Sequence, residues 1–397
     1  MILRDIQSEL KRCRREYPVI CITGPRQSGK TTLARTVFNR LPYVSFEEPL
    51  TRDLFSEDPR GFMLRYRTGA VFDEVQHVPH LLSYLQVLVD ERRQTGRFIV
   101  TGSQHFGLIE KVSQSLAGRV ALLELLPFSV SELQRGGWLG SGLEETLWKG
   151  AYPPVHDKGL RPDRWYANYL ATYIERDVRQ VAEIQNLTTF TRFLRLCAGH
   201  IGQMVNTAKI GADCGADHKT VRRWIGVLQA SYVAGLVHPY YRNFRKRLIK
   251  TPKIYFNDTG LVCHLLGIQT ADQLSTHPLR GALFENWVYT ELVKMRVNSG
   301  ERPEIFFWRT HGGQEVDFIV ERQNTLYAIE VKAGAGVPPR TIGKLEASVN
   351  AWEAAGLSRW IVYGGDDAVN IRGCRLLPWR QIEKLIGRKR RVVRRKK

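Results

Sequence analysis

No two of the six cysteines (Cys13, Cys21, Cys197, Cys214, Cys263 and Cys374) stand in a CxxC pair. That excludes a zinc ribbon, and their wide scatter excludes a disulfide framework. Such thiols are expected to be reduced and structural, as in a reducing compartment. No apolar run reaches 18 residues, so no membrane-spanning helix is expected. The opening Met1-Ile-Leu-Arg-Asp-Ile lacks the basic-then-apolar layout of a secretory signal. These absences predict a soluble, cytoplasmic protein with no membrane partner. Internal repeats and long low-complexity segments are also missing, so 397 residues must be met by two or three distinct domains.

Acidic residues are scarce. Asp and Glu number 39 against 59 Lys and Arg, a formal charge of +20. Such an excess attracts polyanions, and nucleic acid, DNA first, is the expected partner. Part of the excess is local: Arg388 to Lys397 carries eight positive charges and reads as a solvated basic tail. Without that tail the balance is still +12.

What is present falls into three blocks. Residues 1–150 alternate apolar strands (Val19–Thr23, Val44–Phe46, Ala70–Asp73, Arg97–Thr101) with helical stretches at Lys30–Asn39 and Leu81–Arg93. That alternation predicts an α/β fold with a parallel sheet covered on both faces. Residues 151–274 open at the turn Gly150-Ala-Tyr-Pro-Pro154 and continue with an aromatic helix, Trp165 to Ile184. A helix–turn–helix pattern follows over Asn206–Ile225, with Gly211 or Gly215 at the turn, then two strands around a basic turn. Residues 275–387 start with a helix, Ala282–Arg296, followed by strands at Glu304–Arg309, Glu315–Val320 and Leu326–Val331.

Gly24-Pro25-Arg26-Gln27-Ser28-Gly29-Lys30-Thr31 matches GxxxxGKS/T between a buried strand and a helix that continues through Thr32. A glycine-rich turn aims backbone N–H groups at phosphate, and the helix N-terminus adds its dipole. Lys30 is expected on the β- and γ-phosphates of ATP, and Thr31 on Mg²⁺. The apolar strand ending in Asp73-Glu74 supplies the acidic half. Asp73 is expected to order the metal, and Glu74 to polarise the attacking water.

The texts GPRQSGKTTL, VFDEVQ, VTGSQ, SLAGR, LPFSVSEL, FENW, EVDFIV and IEVKAG, with Tyr173-Ile-Glu-Arg-Asp177, resemble a family of bacterial and archaeal AAA-type ATPases over nearly the whole chain. Its members carry a C-terminal domain of unknown function. The resemblance implies a polar γ-phosphate sensor at Ser103, with Gln104 second; a simple strand-ending turn at Gly102 is the other reading. It also implies an oligomer of identical subunits. Arg119 is the candidate arginine finger or sensor, acting in cis or from a neighbour.

In the middle block, Lys219, Arg222 and Arg223 cluster at the start of the second helix, where a recognition helix meets DNA. Arg245, Lys246 and Arg247 lie in the basic turn between the two strands, which resembles the wing of a winged helix. In the third block, Asp317, then Glu330 and Lys332, resemble a PD-(D/E)XK nuclease core, with Glu285 as the helix-borne acid. Asp317, Glu330 and Glu285 are the candidate ligands for Mg²⁺ or Mn²⁺, and Lys332 the residue that positions water. The other reading is a charge cluster without catalysis. Two functions remain: an ATP-driven enzyme acting on DNA, with a metal-dependent nuclease, or a nucleotide-controlled binding module whose nuclease-like domain is inactive.

Overall fold

The computed structural model describes residues 2–91, 94–102, 112, 114–174, 186–241, 251–310, 312–322, 324–350 and 356–386. The first block is built on β1 (Val19–Thr23), β2 (Tyr43–Ser45), β3 (Ala70–Asp73), β4 (Phe98–Thr101) and β5 (Val120–Glu124), in the order β2-β3-β4-β1-β5. All four pairings are parallel. The central strands β1, β3 and β4 are buried on both faces, so they read as continuous apolar runs. Helices α1 (Gln7–Glu16), α2 (Lys30–Val37), α3 (Pro49–Glu57), α4 (Pro59–Arg65) and α5 (Leu81–Glu91) cover them. One face packs Phe46, Phe55, Phe62 and Phe72. The other packs Ile6, Leu10, Leu33 and Val71. Prolines at the first positions of α3 and α4 suit helix starts, where the missing N–H costs nothing. Because every strand is parallel, Thr23, Asp73 and Thr101 come to one edge of the sheet.

The helices that follow include α6 (Val130–Arg135), α7 (Leu143–Lys149), α8 (Pro162–Tyr169), α9 (Leu187–Gly199), α10 (Thr207–Cys214) and α11 (His218–Ala230), with one short turn of helix at Pro153–Asp157 between α7 and α8. The expected long aromatic helix is α-helical only to Tyr169 and widens to a π-helical stretch over Leu170–Ile174. The remainder of that expectation, 175–184, lies outside the described residues. Gly215, with φ 83°, makes the turn between α10 and α11, settling the choice left open between the two glycines.

The two strands after α11, β6 (Ala234–Pro239) and β7 (Lys253–Phe256), pair with one another. They also extend the sheet of the third block. Helices α12 (Thr259–Leu265) and α13 (Arg280–Val297) lead to β8 (Ile305–Arg309), β9 (Glu315–Arg322) and β10 (Thr325–Lys332). Helix α14 (Pro339–Asn350) then precedes β11 (Leu357–Tyr363), β12 (Val369–Ile371) and β13 (Cys374–Pro378). The resulting eight-stranded mixed sheet has the order β12-β13-β11-β10-β9-β8-β6-β7. One apolar core joins Leu126, Trp165, Phe190, Trp224, Phe256, Phe284, Phe318 and Trp379. The change near residue 274 is therefore a change of sequence texture and not a break in packing. Among the described residues no helix is long and apolar enough to cross a membrane.

Candidate functional site

The loop 24–29 leaves the end of β1 and delivers Lys30 as the first residue of α2. Its backbone needs left-handed or related geometry at Gly24 (φ 141°), Gln27 (58°) and Gly29 (95°). A Cβ at Gly24 would stand 2.2 Å from the carbonyl oxygen of Leu125, so only glycine fits there. Lys30 Nζ donates to the carbonyls of Gly24 (3.1 Å) and Pro25 (2.8 Å). Burial pulls its ammonium down to about 8, against the opposing pull of Glu74 and Asp73. Thr31 Oγ1 donates to Asp73 Oδ2 at 2.8 Å, and Tyr43 OH donates to the same oxygen at 2.6 Å. Thr101 Oγ1 binds Asp73 Oδ1 and accepts the Glu74 N–H. Glu74 sits in left-handed backbone at φ 57°, a conformation that costs a non-glycine residue about 1–2 kcal/mol. Gln76 Nε2 donates to its carboxylate. The Ser28 hydroxyl is fully buried and meets no hydrogen-bond partner among the described residues, a donor left over inside the loop. Nucleotide and Mg²⁺ fit this donor set: backbone amides, a cation and a spare hydroxyl for phosphate, and Thr31 with Asp73 for the metal.

Arg4 holds the loop from behind. Its guanidinium donates to the Ser28 carbonyl (2.8 Å) and the Leu126 carbonyl (2.6 Å), and pairs with Glu132 at 3.0 Å. Beyond it, Lys294 of α13 donates to the Phe128 carbonyl at 2.8 Å, and Glu291 accepts the Val130 N–H at 2.9 Å. The segment 126–133, which carries LPFSVSEL, thus bonds the loop's support to the third block.

The second polar cluster lies across β7, α13, β9 and β10. The β8–β9 register shifts between Phe306 and Trp308, so that Asp317 and Phe318 together stand opposite Phe307. Asp317 Oδ2 accepts the Val331 N–H at 2.8 Å, and Lys332 Nζ donates to Glu330 at 2.7 Å. Lys253, 4% exposed, lies 2.5 Å from Glu315 and 3.5 Å from Glu285. Tyr255 OH donates to Glu285 at 2.5 Å. Burial first, then the Asp317 charge, pushes Glu285 and Glu330 up to about 7. The three expected ligands, Glu285, Asp317 and Glu330, all lie in this cluster and act on one another through their charges. Among the described residues, one group of three acids or histidines brings its ligand atoms within 4.8 Å, and it is Glu47, Glu74 and His77. Glu285 is instead bound by Lys253 and Tyr255. Asp317 and Glu330, on adjacent strands, remain a two-carboxylate set that fits a hydrated Mg²⁺ or Mn²⁺.

Residues 16–134 match the model of a family described as AAA domain. Two models described as domains of unknown function match residues 140–272 and 280–382. The uncharacterized protein Rv2008c of Mycobacterium tuberculosis is 33% identical over 334 residues, spanning 83% of this chain and 73% of the relative. The uncharacterized protein Mb2031c of Mycobacterium bovis gives the same figures. The chain belongs to this family. Its first block is an AAA-type P-loop ATPase domain. Among solved structures, the Walker-type ATPase of Pyrococcus abyssi is similar over 66% of this chain and 94% of that one, at 16% identity and a TM-score of 0.44. DnaA from Aquifex aeolicus, bound to AMPPCP, is similar over 56% of this chain and 85% of that one, at 16% identity and a TM-score of 0.27.

The AAA domain brings Lys30, Thr31, Asp73 and Glu74 together, but not Arg119. Arg119 lies just before β5, and its carbonyl accepts the Val19 N–H at the start of β1. That is the end of the sheet opposite the loop, and its guanidinium pairs with Asp90 at 2.6 Å. It does not reach the phosphate site of its own chain. Ser103 and Gln104 lie outside the described residues, as do Arg245, Lys246, Arg247 and the tail 388–397. Lys219, Arg222 and Arg223 are all exposed on α11, whose start is capped by Asp217. Thr101, Tyr43, Arg4 and Lys253 were missed. Thr101 carried the same signal as Asp73, a polar residue closing an apolar strand; the other three touch the sites only through the tertiary fold.

Proposed function

We propose that this cytoplasmic AAA-type protein binds and hydrolyses ATP and works on DNA. One observation carries the ATPase reading: Thr31 and Asp73 are hydrogen-bonded to each other, beside a buried Lys30 and next to Glu74. In this reading the backbone from Gly24 to Thr32, Pro25, Arg26 and Gln27 included, wraps the phosphates, and Lys30 holds the β- and γ-oxygens. Thr31 and Asp73 would hold Mg²⁺, which would supply charge withdrawal from the phosphate oxygens. Glu74 orients the attacking water and takes its proton, and Ser103 senses the γ-phosphate. Arg119, distant from its own site, serves only from a neighbouring subunit, which calls for a homo-oligomer.

The DNA reading is supported by the exposed Lys219, Arg222 and Arg223 at the start of α11, and by the order helix, turn, helix, hairpin, which is that of a winged helix. It requires affinity that falls steeply with salt, because phosphate contacts release counterions. For the third block, Asp317, Glu330 and Lys332 support a nuclease-like site. A second reading, a partner-binding module without cleavage, is favoured by Lys253, a buried internal cation already spent on Glu285 and Glu315. A plasmid-nicking assay with Mg²⁺ or Mn²⁺ separates the two. Metal-dependent cleavage lost in Lys332→Ala supports the nuclease; no cleavage of any DNA or RNA form supports the binding module.

A further inference from the structure

Helix α11 ends on a residue that its backbone does not favour. Tyr232 N–H donates to the Gln229 carbonyl at 3.1 Å, and Val233 N–H to the Leu228 carbonyl at 2.8 Å. This is a Schellman turn, which sets the residue after the C-cap in left-handed backbone, a place ordinarily taken by glycine. Helix α10 follows that rule with Gly215. Helix α11 uses Tyr232, at φ 58° and 6% exposed. A bulky residue in this region is an outlier, and it persists only where its surroundings hold it.

The side chain has a destination. The Tyr232 hydroxyl lies 2.9 Å from Thr23 Oγ1, a bond between residues 209 positions apart. Thr23 is 1% exposed, closes β1, and immediately precedes Gly24. Its own carbonyl accepts the Leu125 N–H at 2.8 Å, which fixes it in the sheet. On the other side, Asn257 Nδ2 donates to the Tyr232 carbonyl at 3.1 Å. The phosphate loop is therefore held at both ends by side chains from outside its sheet: Arg4 on Ser28, and Tyr232 on Thr23. The second of these is continuous with the helix that exposes Lys219, Arg222 and Arg223.

We propose that Tyr232 is a positioning residue for the phosphate loop, through which displacement of α11 by duplex DNA alters ATP turnover. The turn joining Tyr232 to α11 is closed by two backbone bonds, so a shift of the helix either carries Thr23 with it or breaks the hydroxyl bond. The inference rests on the ATPase and DNA readings above, and the wild-type chain tests those separately.

The experiment is steady-state ATP turnover of the full chain, with and without duplex DNA, in wild type, Tyr232→Phe, Thr23→Val and the double variant. Tyr232→Phe is expected to raise KM for ATP about fivefold, the worth of one net hydrogen bond, and to abolish the DNA-dependent change in kcat. Thr23→Val should do the same. The double variant should be no worse than Thr23→Val, since the bond between the two hydroxyls is already gone in either single variant; Thr23→Val also gives up the longer bond from Thr23 Oγ1 to the Leu123 carbonyl, 3.4 Å. Melting temperatures within about 4 °C of wild type show that the variants remain folded. Wild-type KM and an intact DNA response in Tyr232→Phe overturn the proposal. A wild type that turns over ATP but ignores DNA overturns the signal from α11, and KM then decides the positioning claim. A wild type that binds no ATP overturns the ATPase reading itself.

Discussion

The two polar sites solve the problem of a buried carboxylate in opposite ways. In the AAA domain, Asp73 is surrounded by three hydroxyls, those of Thr31, Tyr43 and Thr101. These orient the carboxylate through neutral donors, while the nearby Lys30 ammonium donates to the Gly24 and Pro25 carbonyls instead of to Asp73. In the third block four carboxylates, Glu285, Glu315, Asp317 and Glu330, meet two ammonium groups, Lys253 and Lys332. Its charge is already partly cancelled from within. A site kept charged by neutral donors is built to take a ligand, whereas one balanced by lysines can stand closed without one.

The sharpest way to break this contrast is Lys30→Ala. It should lower ATP affinity about 100-fold or more, while leaving any Mn²⁺ response of the third block unchanged; titration with a fluorescent ATP analogue measures the first, and thermal shift the second. Next is Glu74→Gln, expected to bind ATP normally and to turn over about 100-fold more slowly. Normal turnover would remove Glu74 as the base. Third, Lys253→Met should lower stability by about 3–5 kcal/mol by leaving Glu285 without its cation and Glu315 with only the more exposed Arg309, 3.7 Å away, and Mn²⁺ should restore part of it. Denaturant unfolding with and without Mn²⁺ reads this directly, and no loss of stability would mean that the lysine balances nothing.

The fourth test is pH. Glu285 has an unfolded value of 4.5 and a folded value of about 7, and Glu330 the same. Acids raised by folding stabilise the folded state below the unfolded value, and that contribution disappears as pH rises through the folded one. Stability from this cluster should therefore decline between about pH 5 and pH 8, and the thermal shift given by Mn²⁺ should be larger at pH 8 than at pH 6. Equal shifts at both would count against a cation site. The smallest effect belongs to Arg119→Ala, an exposed pair with Asp90. It should barely move the melting temperature, and any loss of turnover must scale with subunit mixing.

The nucleotide site was legible because its chemistry is local: Gly24 to Thr31 is one continuous loop, and Asp73-Glu74 announces itself as charge at the end of an apolar strand. The strands were legible at 235–241 and 253–256, the first of them two residues longer at its end than β6, but not as members of the third block's sheet. The partner of β6 in that sheet, β8, lies far along the chain, and only the parallel pairing of His238 with Phe306, 68 positions apart, reveals it. Lys253 looked like one more basic residue among many until β7 carried it beneath Glu285. Arg4 and Tyr232 gave no signal, because each acts on the loop across more than twenty positions of sequence. The place of Arg119 was not legible: its motif is local, but the parallel sheet puts the start of β5 at the end away from its own chain's loop, which leaves only the reading in which it acts from a neighbour.

The central claim is that the Thr31–Asp73–Glu74 arrangement is a working ATPase. It is tested most directly by measuring ATP binding and single-turnover hydrolysis side by side in wild type and Glu74→Gln. The account predicts that both bind ATP and that only the wild type hydrolyses it at an appreciable rate. Failure of the wild type to bind ATP, or equal hydrolysis by the two, would contradict it.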